Sequence, residues 1–148
     1  MIRTLKAWNS SDPREWAAAE QHYQRYLQRI SKRLPLALRS LVQRVTLHDD
    51  RIASVQVLTI LPSGRDAIMT IQTFRDGWVG TAALIIVHMI GVQGPIRKID
   101  SNLDIMFFDV EILKPHLVRM TFALDKARTW KVDFKDARVH TYNYLKGR

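Results

Sequence analysis

The chain has 148 residues, 47% of them hydrophobic, and sets 23 Lys+Arg against 14 Asp+Glu for a formal charge of +9. That length and apolar content fit one domain, residues 1–148, with a real core, and exclude wholesale disorder. The absence of cysteine excludes disulfides, thiolate metal sites and cysteine nucleophiles, and suits a reducing compartment.

The opening stretch, Met1 to Trp8, lacks the apolar core of a signal peptide. The longest apolar run, Val79 to Val92, falls short of the roughly 18 residues that suggest a spanning helix. The sequence therefore predicts no transmembrane segment and a cytoplasmic protein. The first strong local signal is Asp12-Pro13-Arg14-Glu15. Asp12 can cap a helix, Pro13 suits its first position, and Glu15 occupies the capping-box position. Trp16, Ala19, Tyr23, Tyr26, Leu27, Ile30 and Leu34 then recur at spacings of three and four, which predicts an amphipathic helix over about 13–33. Pro35 ends it, because the residue before a proline avoids the α region. Leu36, Leu38, Leu41, Val42 and Val45 give a second helix, about 36–45, a broad apolar surface. The helical part thus covers about residues 13–45.

From residue 47 to about 143 the pattern is β-rich. Ile52 to Leu61 and the alternating run Ala67 to Phe74 predict a hairpin about the turn Pro62-Ser63-Gly64-Arg65-Asp66. Asp76-Gly77 marks another turn. Val79 to Val92 reads as a strand buried on both faces, with His88 as a core histidine. Asp104 to Leu113 is strand-like and stops at Lys114-Pro115. Leu117 to Leu124, a turn at Asp125-Lys126-Ala127, Thr129 to Phe134 and a short strand at Val139 to Tyr142 complete the chain. In Thr129 to Phe134, Trp130, Val132 and Phe134 share one face, with Lys131 and Asp133 on the other. The predicted fold class is α+β, an N-terminal helical unit packed on an antiparallel β-sheet or open barrel.

Charge is unevenly placed. Between Glu20 and Asp49 there is no acidic residue, and the interval holds Arg25, Arg29, Lys32, Arg33, Arg39 and Arg44. Arg25, Arg29, Lys32 and Arg33 stand at i, i+4, i+7 and i+8 and so share one face of the predicted helix. A solvated face that complements the helix dipole is one reading. A binding surface for an anionic partner, an acidic protein or nucleic acid, is the other. Tyr23 and Tyr26 are candidates for base stacking but also belong to the core stripe. No helix-turn-helix glycine turn, RNP pattern, KH-type loop or zinc finger accompanies the charge.

The densest polar cluster is Thr46-Leu47-His48-Asp49-Asp50-Arg51, at the junction of helices and strands. His48 beside Asp49 and Asp50 can be written as a general base with its orienting carboxylate, hence a hydrolase, or as part of a metal site. The same residues serve equally as a turn in which the carboxylates bond backbone N–H groups. His22, His88, His116 and His140 are scattered, and neither H-E-x-x-H, G-x-G-x-x-G nor G-x-S-x-G occurs. No cofactor is expected.

At Leu47-His48-Asp49, followed by Ile52 and an alternating strand, the sequence resembles a loose group of small bacterial proteins with an N-terminal helical segment and a β-rich remainder, some of them immunity proteins of toxin systems. The resemblance covers the junction and, by pattern, about residues 47–135. It implies binding rather than catalysis, with a cognate toxin as partner, and carries over no functional residues. Many immunity proteins are acidic; a basic one suits a toxin with an acidic face. The expected activity is thus non-catalytic partner binding through Arg25, Arg29, Lys32 and Arg33.

Overall fold

The computed structural model describes residues 2–45, 47–59, 67–75, 82–97, 99, 101–124 and 128–144. A one-turn helix α1 (Leu5–Trp8) leads into α2 (Pro13–Ile30), whose axis continues through a tighter 3-10 turn at Ser31–Arg33. Asp12 caps α2 by accepting the Arg14 N–H at 3.0 Å, worth about 1 kcal/mol. After Pro35, α3 (Leu36–Ser40) widens into a π-type turn at Leu41–Val45. The two predicted helices are therefore present with nearly their expected limits, while α1 was not anticipated.

Seven strands follow: β1 (Arg51–Thr59), β2 (Ala67–Arg75), β3 (Ala82–Val92), β4 (Phe107–Lys114), β5 (Leu117–Ala123), β6 (Thr129–Phe134) and β7 (Asp136–Tyr144). They form two antiparallel sheets, ordered β1-β2-β3-β7 and β4-β5-β6. The α+β class is as predicted, and the sheets do not close into a barrel. The hairpin pairing of β1 and β2 also holds, with Val57 opposite Met69; the turn at Pro62 to Asp66, like Asp76-Gly77 and Asp125 to Ala127, lies outside the described residues.

Two corners join the sheets. At one, the chain bends at Lys135 between β6 and β7, so consecutive strands belong to different sheets. Here Gln93 N–H donates to Asp133 O and Lys135 N–H to Ile90 O, stitching the end of β3 to that bend. At the other, Asp49 N–H bonds Ile105 O, Ile105 N–H bonds Asp50 O, and Ile52 N–H bonds Leu103 O. That second corner is why the strand expected from Asp104 begins only at Phe107.

The core collects the inward faces of both sheets: Met69 and Ile71 of β2, Ile85, Val87 and Met89 of β3, Met120 and Phe122 of β5, and Trp130, Val132 and Phe134 of β6. Tyr23, Leu27 and Ile30 of α2 and Leu38 of α3 join it. Burial along β3 alternates strictly between Ala82 and Ile90. The expectation of a strand buried on both faces is thus corrected: Ile86 and Ile90 lie half-buried on the outer face. His88 shares that face, its Nδ1 2.9 Å from the Thr70 hydroxyl, so it is not a core histidine.

Beside β4 the helix seals a strand edge. In this edge strand Phe108, Val110 and Ile112 turn their peptide groups away from β5. The Val110 N–H donates to the Tyr23 hydroxyl at 2.9 Å, the Ile112 N–H to the Tyr26 hydroxyl at 2.8 Å, and the Phe108 carbonyl accepts from the Arg3 guanidinium. Outward amides on a strand recur every two residues, and i, i+3 side chains on a helix face reach the same way, so the Tyr23–Tyr26 spacing matches the edge. Replacing Tyr23 by Phe leaves a buried N–H without an acceptor and is expected to cost about 2 kcal/mol, and Tyr26→Phe about 1 kcal/mol because water reaches it; urea unfolding checks both.

Candidate functional site

The predicted His48-Asp49-Asp50 cluster divides at the corner it builds. Asp49 adopts a left-handed φ of 63° and is exposed, while Asp50 turns inward and is fully buried. Asp50 accepts from Arg75 Nε at 2.9 Å and from the Thr73 hydroxyl at 3.2 Å. His48 donates through Nδ1 to the Met106 carbonyl, and its Nε2 lies 3.3 Å from Asp49 Oδ2. With Nδ1–H engaged, the contact to Asp49 is a full ion pair only when the ring carries both protons. The imidazole therefore has the exposed Asp49 carboxylate beside it and shares a small pocket with Glu20, while the Asp50 carboxylate belongs to the core. Among the described residues no group of three or more His, Asp or Glu could hold a metal ion.

A second ionic cluster escaped the sequence reading. Asp109 lies in the middle of β4 with its side chain fully buried, and Arg3 reaches it from the N-terminal arm. Arg3 Nε donates to Asp109 Oδ1 at 2.6 Å, and the backbone N–H groups of Ile2 and Arg3 donate to Oδ2 at 2.9 and 2.7 Å. Arg3 Nη1 donates to Glu20 of α2 at 2.8 Å, and the guanidinium lies 4.1 Å from the Tyr23 ring centre. The rings of Trp8, Trp16 and Phe107 pack on one another at centroid separations of 4.7 to 5.4 Å, and the guanidinium lies 5.3 Å from Phe107 and 5.8 Å from Trp16. Arg3 thus ties arm, helix and strand together. No periodic pattern marks it: a lone Arg and a lone Asp stand 106 residues apart.

The basic residues behave differently. Arg25 and Arg29 stand exposed on the outer side of α2, where with His22 and Gln28 they line a shallow depression. Arg29 also rests 5.8 Å from the Tyr26 ring centre. Lys32 and Arg33 fall in the 3-10 turn, exposed, and the backbone of Lys32 accepts from Arg39. None of the four forms an ion pair with a described residue. Tyr23 and Tyr26, candidates for base stacking, are committed to the β4 edge through their hydroxyls. The cations therefore do not share one aromatic-studded patch, and Arg33 leaves the helix face to meet Lys135 at a separate cavity of about 550 Å³. That cavity opens between the α2–α3 turn, the β4–β5 turn and the Lys135 bend.

Comparison with protein families, with curated proteins and with solved structures returns no match. No described helix is long and apolar enough to cross a membrane.

Burial raises the pKa of both Asp109 and Asp50 above the ordinary carboxylate value, outweighing the pull of Arg3 on one and Arg75 on the other. A raised native pKa means that the folded state holds its proton more tightly. The associated stability is complete below the unfolded-state pKa and is lost as pH rises through the native value. Asp50→Asn should therefore improve relative to the parent as pH rises from about 4 to about 7, measured as the difference in urea unfolding free energy. Truncating Asp109 leaves Arg3 buried with its main partner gone. Asp109→Ala is expected to cost about 3 kcal/mol alone and markedly less in an Arg3→Met background, a coupling that a double-mutant cycle on unfolding will reveal.

Proposed function

We propose that the protein is a non-catalytic interaction protein that binds an acidic protein surface, and that it acts as an immunity protein against a bacterial toxin. The observation that carries the reading is the set of exposed cations without an ion pair to any described residue, Arg25, Arg29, Lys32 and Arg33, in a stretch with no acidic residue from Gln21 to His48. Such charges remain hydrated in the free protein, so contact with carboxylates costs little desolvation and gains association rate. The inner side of α2 is occupied by the β4 edge, which leaves the outer side for a partner.

Two other readings have less support. Binding to nucleic acid would rest on charge alone, because Tyr23 and Tyr26 face the seam with β4. Hydrolysis through His48, Asp49 and Asp50 acting as one cluster would need Asp50 at the imidazole, and Asp50 is engaged with Arg75 and Thr73 instead.

The test is co-purification with the product of the adjacent reading frame. The expected result is a complex that weakens with salt and loses at least about tenfold in affinity when Arg25 and Arg29 become Glu. Absence of a toxin gene and of any complex would end the immunity reading. Binding to RNA or DNA that falls linearly on a log–log salt plot would replace it with nucleic-acid binding.

A further inference from the structure

The cavity of about 550 Å³ has a floor and a rim of different chemistry. Its floor is Leu34, Pro35, Ile112, Leu117 and Val118, all apolar. Its rim carries Arg33, His116 and Lys135 from three separate segments of the chain. The volume falls in the usual range of small-molecule sites, roughly 300–1,000 Å³, where apolar walls and a few polar groups set the ligand.

The rim is set up for an anion. Neither Arg33, His116 nor Lys135 bonds its side chain to a described residue. The one carboxylate in the lining, Asp136, is already engaged, its Oδ1 by the Ala137 N–H at 2.8 Å and its Oδ2 by Arg138 Nη1 at 2.9 Å. Lys135 and His116 also leave the backbone at fixed points. The backbone of Lys135 is fixed to Ile90 O, and its methylenes cover Gly91, where an added Cβ would fall 3.1 Å from Lys135 Cγ and Cδ. Gly91 has a φ of +69°, so both its conformation and this close approach call for glycine. His116 follows Pro115 in the two-residue β4–β5 turn with a φ of 61°, which fixes where its side chain leaves the hairpin.

We propose that this cavity binds a small anionic amphiphile, a carboxylate with a short saturated chain, with the chain on Leu34, Ile112 and Leu117 and the head group between Arg33 and Lys135. The inference shares only Arg33 with the acidic-partner reading; Ile112, His116 and Lys135 lie outside the basic helix, and Arg25→Glu with Arg29→Glu, which tests that reading, leaves this cavity intact.

Octanoate is the probe and 1-octanol its neutral control, followed by amide chemical shifts and calorimetry. The expected result is saturable one-to-one binding of octanoate, with shifts gathered at Leu34, His116, Leu117 and Lys135, and at least about tenfold weaker binding of 1-octanol. Arg33→Ala with Lys135→Ala, both exposed and confirmed as folded by circular dichroism, should weaken octanoate at least about tenfold, while Lys131→Ala, outside the cavity, leaves it unchanged. Octanol binding as tightly as octanoate, shifts confined to the outer face of the four-stranded sheet, an unaltered double variant, or no saturable binding would each overturn the proposal.

Discussion

An edge strand with open peptide groups is the constraint around which this molecule is arranged. Strand β4 ends the smaller sheet, and its outward N–H and C=O groups would otherwise invite another strand. Two phenol hydroxyls and one guanidinium occupy three of them. That seal decides the orientation of α2: the Tyr23 and Tyr26 hydroxyls meet β4, which leaves Arg25 exposed and Arg29 exposed at the flank of the Tyr26 ring. It also decides where the N-terminal arm lies, because Arg3 bonds Phe108, Asp109 and Glu20 at once. Burial raises the pKa of Asp109 against the pull of Arg3, and its three donors, Arg3 Nε and the N–H groups of Ile2 and Arg3, fix the position of the carboxylate.

The second organising feature is the way the sheets join. The Leu47 to Asp50 segment connects helices to strands and binds the chain just before β4 through backbone hydrogen bonds, while the side chains of His48 and Asp50 tie it to Met106 and to Arg75 and Thr73. The bend at Lys135 carries the chain from β6 into β7. Strands that part at such a bend leave space between the sheets and the helical turn, and the apolar cavity occupies that space.

Local patterns in the sequence were legible wherever one face of an element is buried. The Asp12-Pro13 start of α2, the β1–β2 hairpin and the alternation of Trp130, Val132 and Phe134 all follow from periodicity and caps. What pattern reading missed depends on partners distant in sequence. His88 in an apolar run reads as buried, yet strict alternation places it with Thr70 on the outer face. Tyr23 and Tyr26 are periodic core positions whose hydroxyls serve a strand more than 80 residues away. Arg3, Asp109 and the convergence of Arg33 with Lys135 leave no local signature at all. The string His48-Asp49-Asp50 is the converse, a chemical motif in sequence from which Asp50 turns away at a left-handed turn while His48 and Asp49 stay in contact.

The central claim is that α2 is sealed against β4 on one side and free on the other. Native-state hydrogen exchange at the Val110 and Ile112 amides measures this most directly. If the tyrosines close the edge, both amides exchange only through openings nearly as costly as global unfolding, like those paired between β4 and β5. Exchange at the rate of an open strand edge, with the neighbouring β4–β5 amides protected, would contradict it.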